Sequence, residues 1–254
     1  MPNLLDSASN LRAALLRREF SARDLLGATL AAIERLNPAL NAIVQMDAAA
    51  AWRAATDSDS RLARGEVRPL EGLPVTIKDC FEVAGLVTSV GAPALQNYIP
   101  REDASVVARM RRAGAIILGK TNVPLLTGDF QTYNSLYGTT NNPWNLGFSP
   151  GGSSGGAAAA IATGMSALEI GSDLAGSIRW PAHCCGIFGL KTTWNIIATY
   201  GHIPPLPDMR LERNPELLVV GPLARSAADL ALALGPARPL DAGAAFGAAA
   251  QSLA

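Results

Sequence analysis

The chain has 254 residues, 49% of them hydrophobic, and formally no net charge. That is enough apolar material for one sizeable core, and with neither a basic excess nor an acidic tail nucleic acid is not an expected partner. The longest apolar stretch, Ala157 to Leu168, is too short and too rich in alanine and glycine to span a bilayer. The segment Met1-Pro2-Asn3-Leu4-Leu5-Asp6 lacks the basic start and apolar core of a signal peptide. Three cysteines, two of them adjacent (Cys184 and Cys185), make no disulfide framework. The expected setting is a reducing cytoplasm.

Helix and strand signals alternate along the chain. Ser21-Ala22-Arg23-Asp24 has the form of a capping box. Leu26, Thr29, Leu30 and Ile33 follow at helical spacing, and Asn37-Pro38 is expected to end that helix. Pro74 to Lys78 is a short apolar run expected to form a buried strand. Asp103 is placed to cap a helix carrying Val106, Val107 and Met110, with Gly114 at its end. Ala115 to Leu118 then predicts a strand. Gly155-Gly156 open an alanine-rich helix to about Thr163, Ser166 to Ile170 predicts a strand, and Ser226 caps a last helix bearing Leu230, Leu232 and Leu234. Such alternation predicts an α/β layered fold.

Three local features carry chemistry. Eighteen arginines stand against only three lysines, Lys78, Lys120 and Lys191. Lys78 lies among Val75, Ile77 and Phe81, where burial can make a lysine neutral and able to act as a base, as arginine never is. The blander reading is a strand-end lysine whose stem packs on apolar neighbours. The second and third features are the glycine-rich loops Pro150-Gly151-Gly152-Ser153-Ser154-Gly155-Gly156 and Gly171-Ser172-Asp173-Leu174-Ala175-Gly176-Ser177-Ile178-Arg179. Glycine lets backbone N–H groups converge beside a serine, where they can stabilise an oxyanion. Loops of this composition are often only linkers, but the first is bounded by Pro150 and an apolar segment, not by polar filler. Cys184 and Cys185 read as small buried hydrophobes, His183 and His202 as structural or surface residues, and Lys120, beside Gly119, as a structural residue that either binds an anion or pairs with a carboxylate.

Taken together, Leu73-Pro74-Val75-Thr76-Ile77-Lys78-Asp79 and the two serine loops resemble the amidase signature family. Asn37-Pro38-Ala39-Leu40-Asn41-Ala42, Gly114 to Asn122, Gly138 to Pro143 and Gly221-Pro222-Leu223-Ala224-Arg225-Ser226 extend the resemblance in family order, from about Leu11 to about Leu234. It implies a mixed β-sheet between α-helical layers, and hydrolysis of a small-molecule carboxylic amide with no metal or organic cofactor. It also implies roles: Ser177 as nucleophile, Ser153 as a serine held through a cis peptide bond, and Lys78 as base. The N–H groups of Leu174, Ala175, Gly176 and Ser177 are the implied oxyanion donors, with Ser154, Asp173 and Arg179 in support.

The chain departs from the family pattern in places. Ala175-Gly176 stands where many members have two glycines, and Thr192-Thr193 where many have a proline after the Gly189-Leu190-Lys191 motif. Family enzymes are roughly twice as long. Residues 1–234 therefore resemble the N-terminal portion of an amidase signature domain, and 235–254 an Ala/Gly-rich tail. The fold is expected to be incomplete, its strands partly uncovered, and the chain prone to self-association with low activity. Two alternative readings accompany this one. The chain is a partner-dependent subunit of the tRNA-dependent amidotransferase type, or an inactive remnant. Otherwise Gly152-Ser153-Ser154-Gly155-Gly156 is a G-x-S-x-G elbow, with Ser154, Asp173 and His202 as an esterase triad of the α/β-hydrolase type.

Overall fold

Near-continuous apolar runs with no polar alternation build the middle of a sheet that is covered on both faces. The computed structural model describes residues 1–207 and 215–238. It opens with α1 (Ala8–Leu16), α2 (Ala22–Leu40), β1 (Ile43–Met46) and α3 (Ala48–Ala63). Next come β2 (Pro74–Lys78), α4 (Ser105–Arg112), β3 (Ile116–Thr121) and a small hairpin of β4 (Tyr133–Asn134) and β5 (Gly138–Thr139). Then follow α5 (Gly155–Ala162), β6 (Leu168–Asp173), α6 (Arg179–Cys185), β7 (Phe188–Gly189), β8 (Val219–Ala224) and α7 (Ala227–Ala237). Six strands form one mixed sheet in the order β1-β3-β2-β6-β8-β7. The central trio β3-β2-β6 is parallel and the outer pairings are antiparallel.

Helix α5 packs against five of the six strands, and its composition follows from how closely it lies on them. A Cβ on Gly156 would come within 2.5 Å of the Asn122 amide nitrogen and 2.7 Å of the Ala42 carbonyl oxygen. Alanine and glycine are the residues that permit such an approach, and every residue from Gly155 to Ile161 is buried. At the other end of the chain, Asp229 of α7 accepts hydrogen bonds from the backbone N–H groups of Ala8 and Ser9, satisfying first-turn donors of α1. Arg225 donates to the carbonyls of Asp6, Ile161 and Ser166, tying the N-terminal segment and the exit of α5 to the end of β8.

The Ser21 capping box forms, with Asp24 answering at the third helical position, and Ser226 caps α7. Other expectations change, among them the strand placed at Ala115 to Leu118, which runs from Ile116 to Thr121. Helix α2 runs through Pro38 to Leu40 and ends on left-handed Asn41. The proline sits in the last turn, and the carbonyl it leaves without an N–H belongs to Glu34, an exposed residue. Asp103 does not cap α4, whose N-cap is Ala104; its carboxylate accepts instead from the Ala84 N–H and from Arg111. The strand placed at Ser166 to Ile170 begins at Leu168 and extends to Asp173. Strands β2, β3 and β6, expected to show an uncovered apolar face, are buried at every position. The exposed large apolar side chains lie elsewhere, on loops and short elements, among them Trp144, Phe148, Leu174 and Leu217. Helix α7 crosses the boundary placed after residue 234, and the tail from 239 onward lies outside the described residues. No described helix is long and apolar enough to cross a membrane.

The α5 contact gives a direct test. Gly156→Ala is expected to lower stability by about 1–3 kcal/mol through overpacking against backbone that cannot yield, measured by denaturant unfolding. A change within about 0.3 kcal/mol would show that the helix has room to lift.

Candidate active site

Lys78 is the last residue of β2, between β3 and β6. Its side chain is fully buried. The Nζ lies 2.8 Å from Ser153 Oγ, 3.1 Å from Ser172 Oγ and 3.3 Å from the Ser172 carbonyl oxygen. None of these partners is a carboxylate. Burial therefore holds the Lys78 pKa below the ordinary lysine value, opposed by the more distant Cys80, Asp173 and Glu169. Lys120 provides the contrast: it is equally buried, but its ammonium sits 2.9 Å from Asp79 Oδ1 and 2.9 Å from Thr88 Oγ1. Of the two contacts open to Lys120, an anion or a carboxylate, the structure has the carboxylate, and Lys78 has none.

Ser153 follows a cis peptide bond, Gly152-Ser153. Glycine is required at 152 because a Cβ there would fall within 2.7 Å of backbone atoms of Asp129 and Gln131. Thr132 clamps the loop from outside: its hydroxyl donates to the Gly151 carbonyl and accepts from the Gly155 N–H. Ser154 is the N-cap residue of α5, yet its buried Oγ makes no hydrogen bond to any described group. Its support runs through the backbone, where its N–H donates to the Ser177 carbonyl at 3.2 Å. That bond fastens the two serine loops together.

Asp173, ending β6, organises the second loop. Its carboxylate accepts from the backbone N–H groups of Gly176, Ile178 and Arg179 and from the Arg179 guanidinium. Burial pushes this carboxyl up, but the Arg179 and backbone donors together hold it below its ordinary value. Asp173 and Arg179 are therefore braces of the loop that carries Ser177. Gly176 has φ +127, a conformation L side chains rarely adopt, whereas Ala175 has no left-handed backbone and is exposed. The extra methyl at 175 is tolerated for that reason. The Gly176 N–H, one of the four implied oxyanion donors, is committed to Asp173. The N–H groups of Leu174, Ala175 and Ser177 and the Ser177 hydroxyl make no hydrogen bond among the described residues.

Ser153, Ser172, Leu174 and Ser177 line one cleft of about 410 Å³, together with His202. Its wall includes Leu126 and Thr127, two successive residues with left-handed φ of +52° and +57°, each costing on the order of 1–3 kcal/mol and typical of functional clefts. The esterase triad does not form: Ser154 Oγ lacks a partner, Asp173 is spent on its loop, and His202 Nε2 meets Ser172 Oγ at 2.9 Å. His202 is thus neither a surface residue nor remote from the chemistry. Cys80, with Sγ 3.5 Å from Ser172 Oγ, also belongs to this cluster. Burial raises the Cys80 thiol pKa, but the charges that His202 and Lys78 carry when protonated, with hydrogen bonds from His202 and Ser172, outweigh it and bring the value to about 7. Cys185 is buried as expected but Cys184 is only half-buried; burial raises both thiols, Cys185 to about 12. No described group of histidine, cysteine and carboxylate side chains is arranged to hold a metal ion.

Comparison with known proteins establishes the family and the fold. The Amidase family model matches residues 24–237, and the chain belongs to that family. It is 40% identical over 226 residues to a glutamyl-tRNA(Gln) amidotransferase subunit of Roseiflexus sp. (strain RS-1), covering 89% of this chain and 45% of the relative. Among solved structures, it is similar to a native peptide amidase from Stenotrophomonas maltophilia at a TM-score of 0.84 and 32% identity, covering 92% of this chain and 48% of the other. A vestigial complex bearing on the origins of an s-triazine catabolic enzyme aligns at a TM-score of 0.86 and 36% identity, covering 93% and 50%. The chain thus spans about half the length of the relatives it matches.

Beneath the cleft, β6 carries a buried carboxyl. Glu169 is hydrogen-bonded by the hydroxyls of Thr76 and Thr121, and burial outweighs those bonds to raise its pKa to about 8. A raised carboxyl stabilises the fold below its unfolded value of 4.5, and that contribution is lost as pH climbs to about 8. Glu169→Gln keeps the shape and stays neutral. Its stability relative to the parent chain is expected to rise by up to about 1.4 kcal/mol per pH unit across that window and to level off above it. A difference independent of pH in denaturant unfolding would show that the carboxyl is ionised throughout.

Proposed function

We propose that the site hydrolyses a carboxylic amide through an acyl-enzyme on Ser177. The observation that carries this reading is Lys78: a fully buried lysine with no carboxylate partner, 2.8 Å from the hydroxyl of Ser153. An amide is a poor electrophile with a poor leaving group, so the attacking hydroxyl must lose a proton and the departing nitrogen must gain one. Ser177 Oγ attacks the carbonyl carbon while its proton passes to Ser153 and the Ser153 proton to neutral Lys78. The oxyanion is met by the uncommitted N–H groups of Leu174, Ala175 and Ser177, each such donor typically worth roughly 3–4 kcal/mol of the barrier. In this reading Gly176 holds the loop and is not itself a donor. The proton returns from Lys78 through Ser153 to the leaving amine, and water then repeats the sequence on the acyl-enzyme.

A second reading concerns partnership. The amidotransferase relative is by name one component of an assembly, and the present chain matches 45% of it. On this reading the chain works on an amide with the help of a further polypeptide or a second copy of itself. Size-exclusion chromatography followed by an aryl amide assay separates the two. A monomer with robust turnover supports the self-sufficient enzyme, and activity appearing only in an assembled species supports the other.

Two outcomes test the mechanism. A serine-directed fluorophosphonate is expected to modify Ser177, identified by peptide mass mapping; modification of Ser154 with Ser177 untouched would overturn the assignment. Lys78→Ala is expected to slow that labelling by about 10²–10⁴-fold, and Lys78→Arg to give no rescue because arginine stays protonated. The parent rate should rise with pH through a value below that of an ordinary lysine, since only the neutral amine accepts the proton. An arginine variant labelled at the parent rate would remove Lys78 from the role of base.

A further inference from the structure

The hydrogens around Lys78 can be assigned by counting donors and acceptors from the outside inward. The count starts at the Pro204 carbonyl oxygen, which only accepts and lies 2.9 Å from His202 Nδ1. Nδ1 therefore carries a hydrogen. In a neutral imidazole Nε2 is then a bare lone pair, and it lies 2.9 Å from Ser172 Oγ. The Cys80 thiol also faces His202, but Ser172 Oγ at 2.9 Å is the stronger oxygen donor and gives its single hydrogen to that lone pair. The two lone pairs of its oxygen remain for Lys78 Nζ at 3.1 Å and for the Cys80 thiol at 3.5 Å. A neutral lysine has two hydrogens and one lone pair. Its hydrogens go to Ser172 Oγ and to the Ser172 carbonyl oxygen, which again only accepts. The lysine lone pair is left with one neighbour at hydrogen-bonding distance, the Ser153 hydroxyl.

We propose that His202 is a positioning residue, held as its Nδ1–H tautomer, which sets the direction of the hydrogen bonds through Ser172 so that the lone pair of Lys78 faces Ser153. The surroundings are built for this. An isolated β-bridge pairs Phe81 with His202, the Ile203 N–H donates to the Cys80 carbonyl at 2.7 Å, and the Phe81 ring meets the imidazole edge-on at a centroid distance of 5.1 Å. The imidazole is thereby fixed against the strand exit that carries Lys78. The opposite tautomer would place a hydrogen on Nε2, free Ser172 to donate toward Lys78, and occupy the lone pair that Ser153 needs.

The geometric part of the proposal stands without any activity; its consequence for rate rests on the amidase reading above. The test therefore has two arms. The first is a long-range ¹H–¹⁵N spectrum of the imidazoles in the uniformly labelled full chain at a pH where His202 is neutral. There are only two histidines, and His183→Asn assigns the signals. The expected result is a protonated Nδ1 and a bare Nε2 for His202, against the usual solution preference for the other tautomer. A protonated Nε2 would overturn the proposal. The second arm is the rate of fluorophosphonate labelling in His202→Phe and His202→Gln, compared at equal folded fraction by thermal unfolding. Phenylalanine removes the acceptor, whereas the glutamine carbonyl can still take the Ser172 hydrogen. The Phe variant is expected to be at least tenfold slower, with Gln recovering a substantial part of the loss; a Phe variant as fast as the parent chain would overturn the positioning role. If the parent chain is not labelled at all, the amidase reading fails, and the spectrum alone decides the tautomer.

Discussion

A lysine amine buried without a counter-charge is expensive unless it sheds its proton, and what surrounds Lys78 is arranged around that constraint. Three segments have to meet at its end of the sheet. Strand β2 delivers the lysine, β6 delivers the hydroxyl and carbonyl of Ser172, and the loop before α5 delivers Ser153. The serine partners are neutral, so the site can be closed from water without stranding an ion. Lys120 on the neighbouring strand shows what the same residue does when a carboxylate is present: it pairs with Asp79 and becomes part of the frame.

The second organising group is Asp173. One carboxylate gathers three backbone N–H groups and a guanidinium, and so folds the chain from Leu174 to Arg179 into a tight turn. The turn leaves Ser177 on the cleft wall and keeps the neighbouring N–H groups of Leu174 and Ala175 unspent. The position of α5 depends on the same economy of space, since its small residues let the Ser153 loop descend onto the sheet.

Much of this was legible in the sequence, for identifiable reasons. The Ser21 and Ser226 caps are local hydrogen bonds between residues three apart, so short motifs reveal them. Lys78 stood out because it ends an apolar run among Val75, Ile77 and Phe81. Other parts are written in pairings of distant residues and were not visible. Asp103 has the composition of a cap, but Arg111 and the Ala84 N–H compete for it successfully. The placement of His202 beside Ser172 depends on a bridge to Phe81 across 121 residues of chain, and no spacing announces it; the sequence offered it only as one of two histidines and as a member of the esterase alternative. Ser172 lay inside a recognised motif, unassigned, because only the folded sheet brings it to Lys78. Thr132 carries no motif at all. The covering of β2, β3 and β6 likewise follows from how helices pack across the sheet, and not from length.

The parallel pairing of β2 with β6 joins segments separated by more than ninety residues. Contacts of that range are late and slow to form, because the loop entropy must be met before the pairing rewards it. Until β6 docks, the end of β2 is wet and Lys78 carries its proton like any surface lysine. Docking dries the amine and lowers its pKa below the ordinary lysine value. Completion of the sheet therefore favours loss of a proton from Lys78, and by mass action a rise in pH favours the docked state.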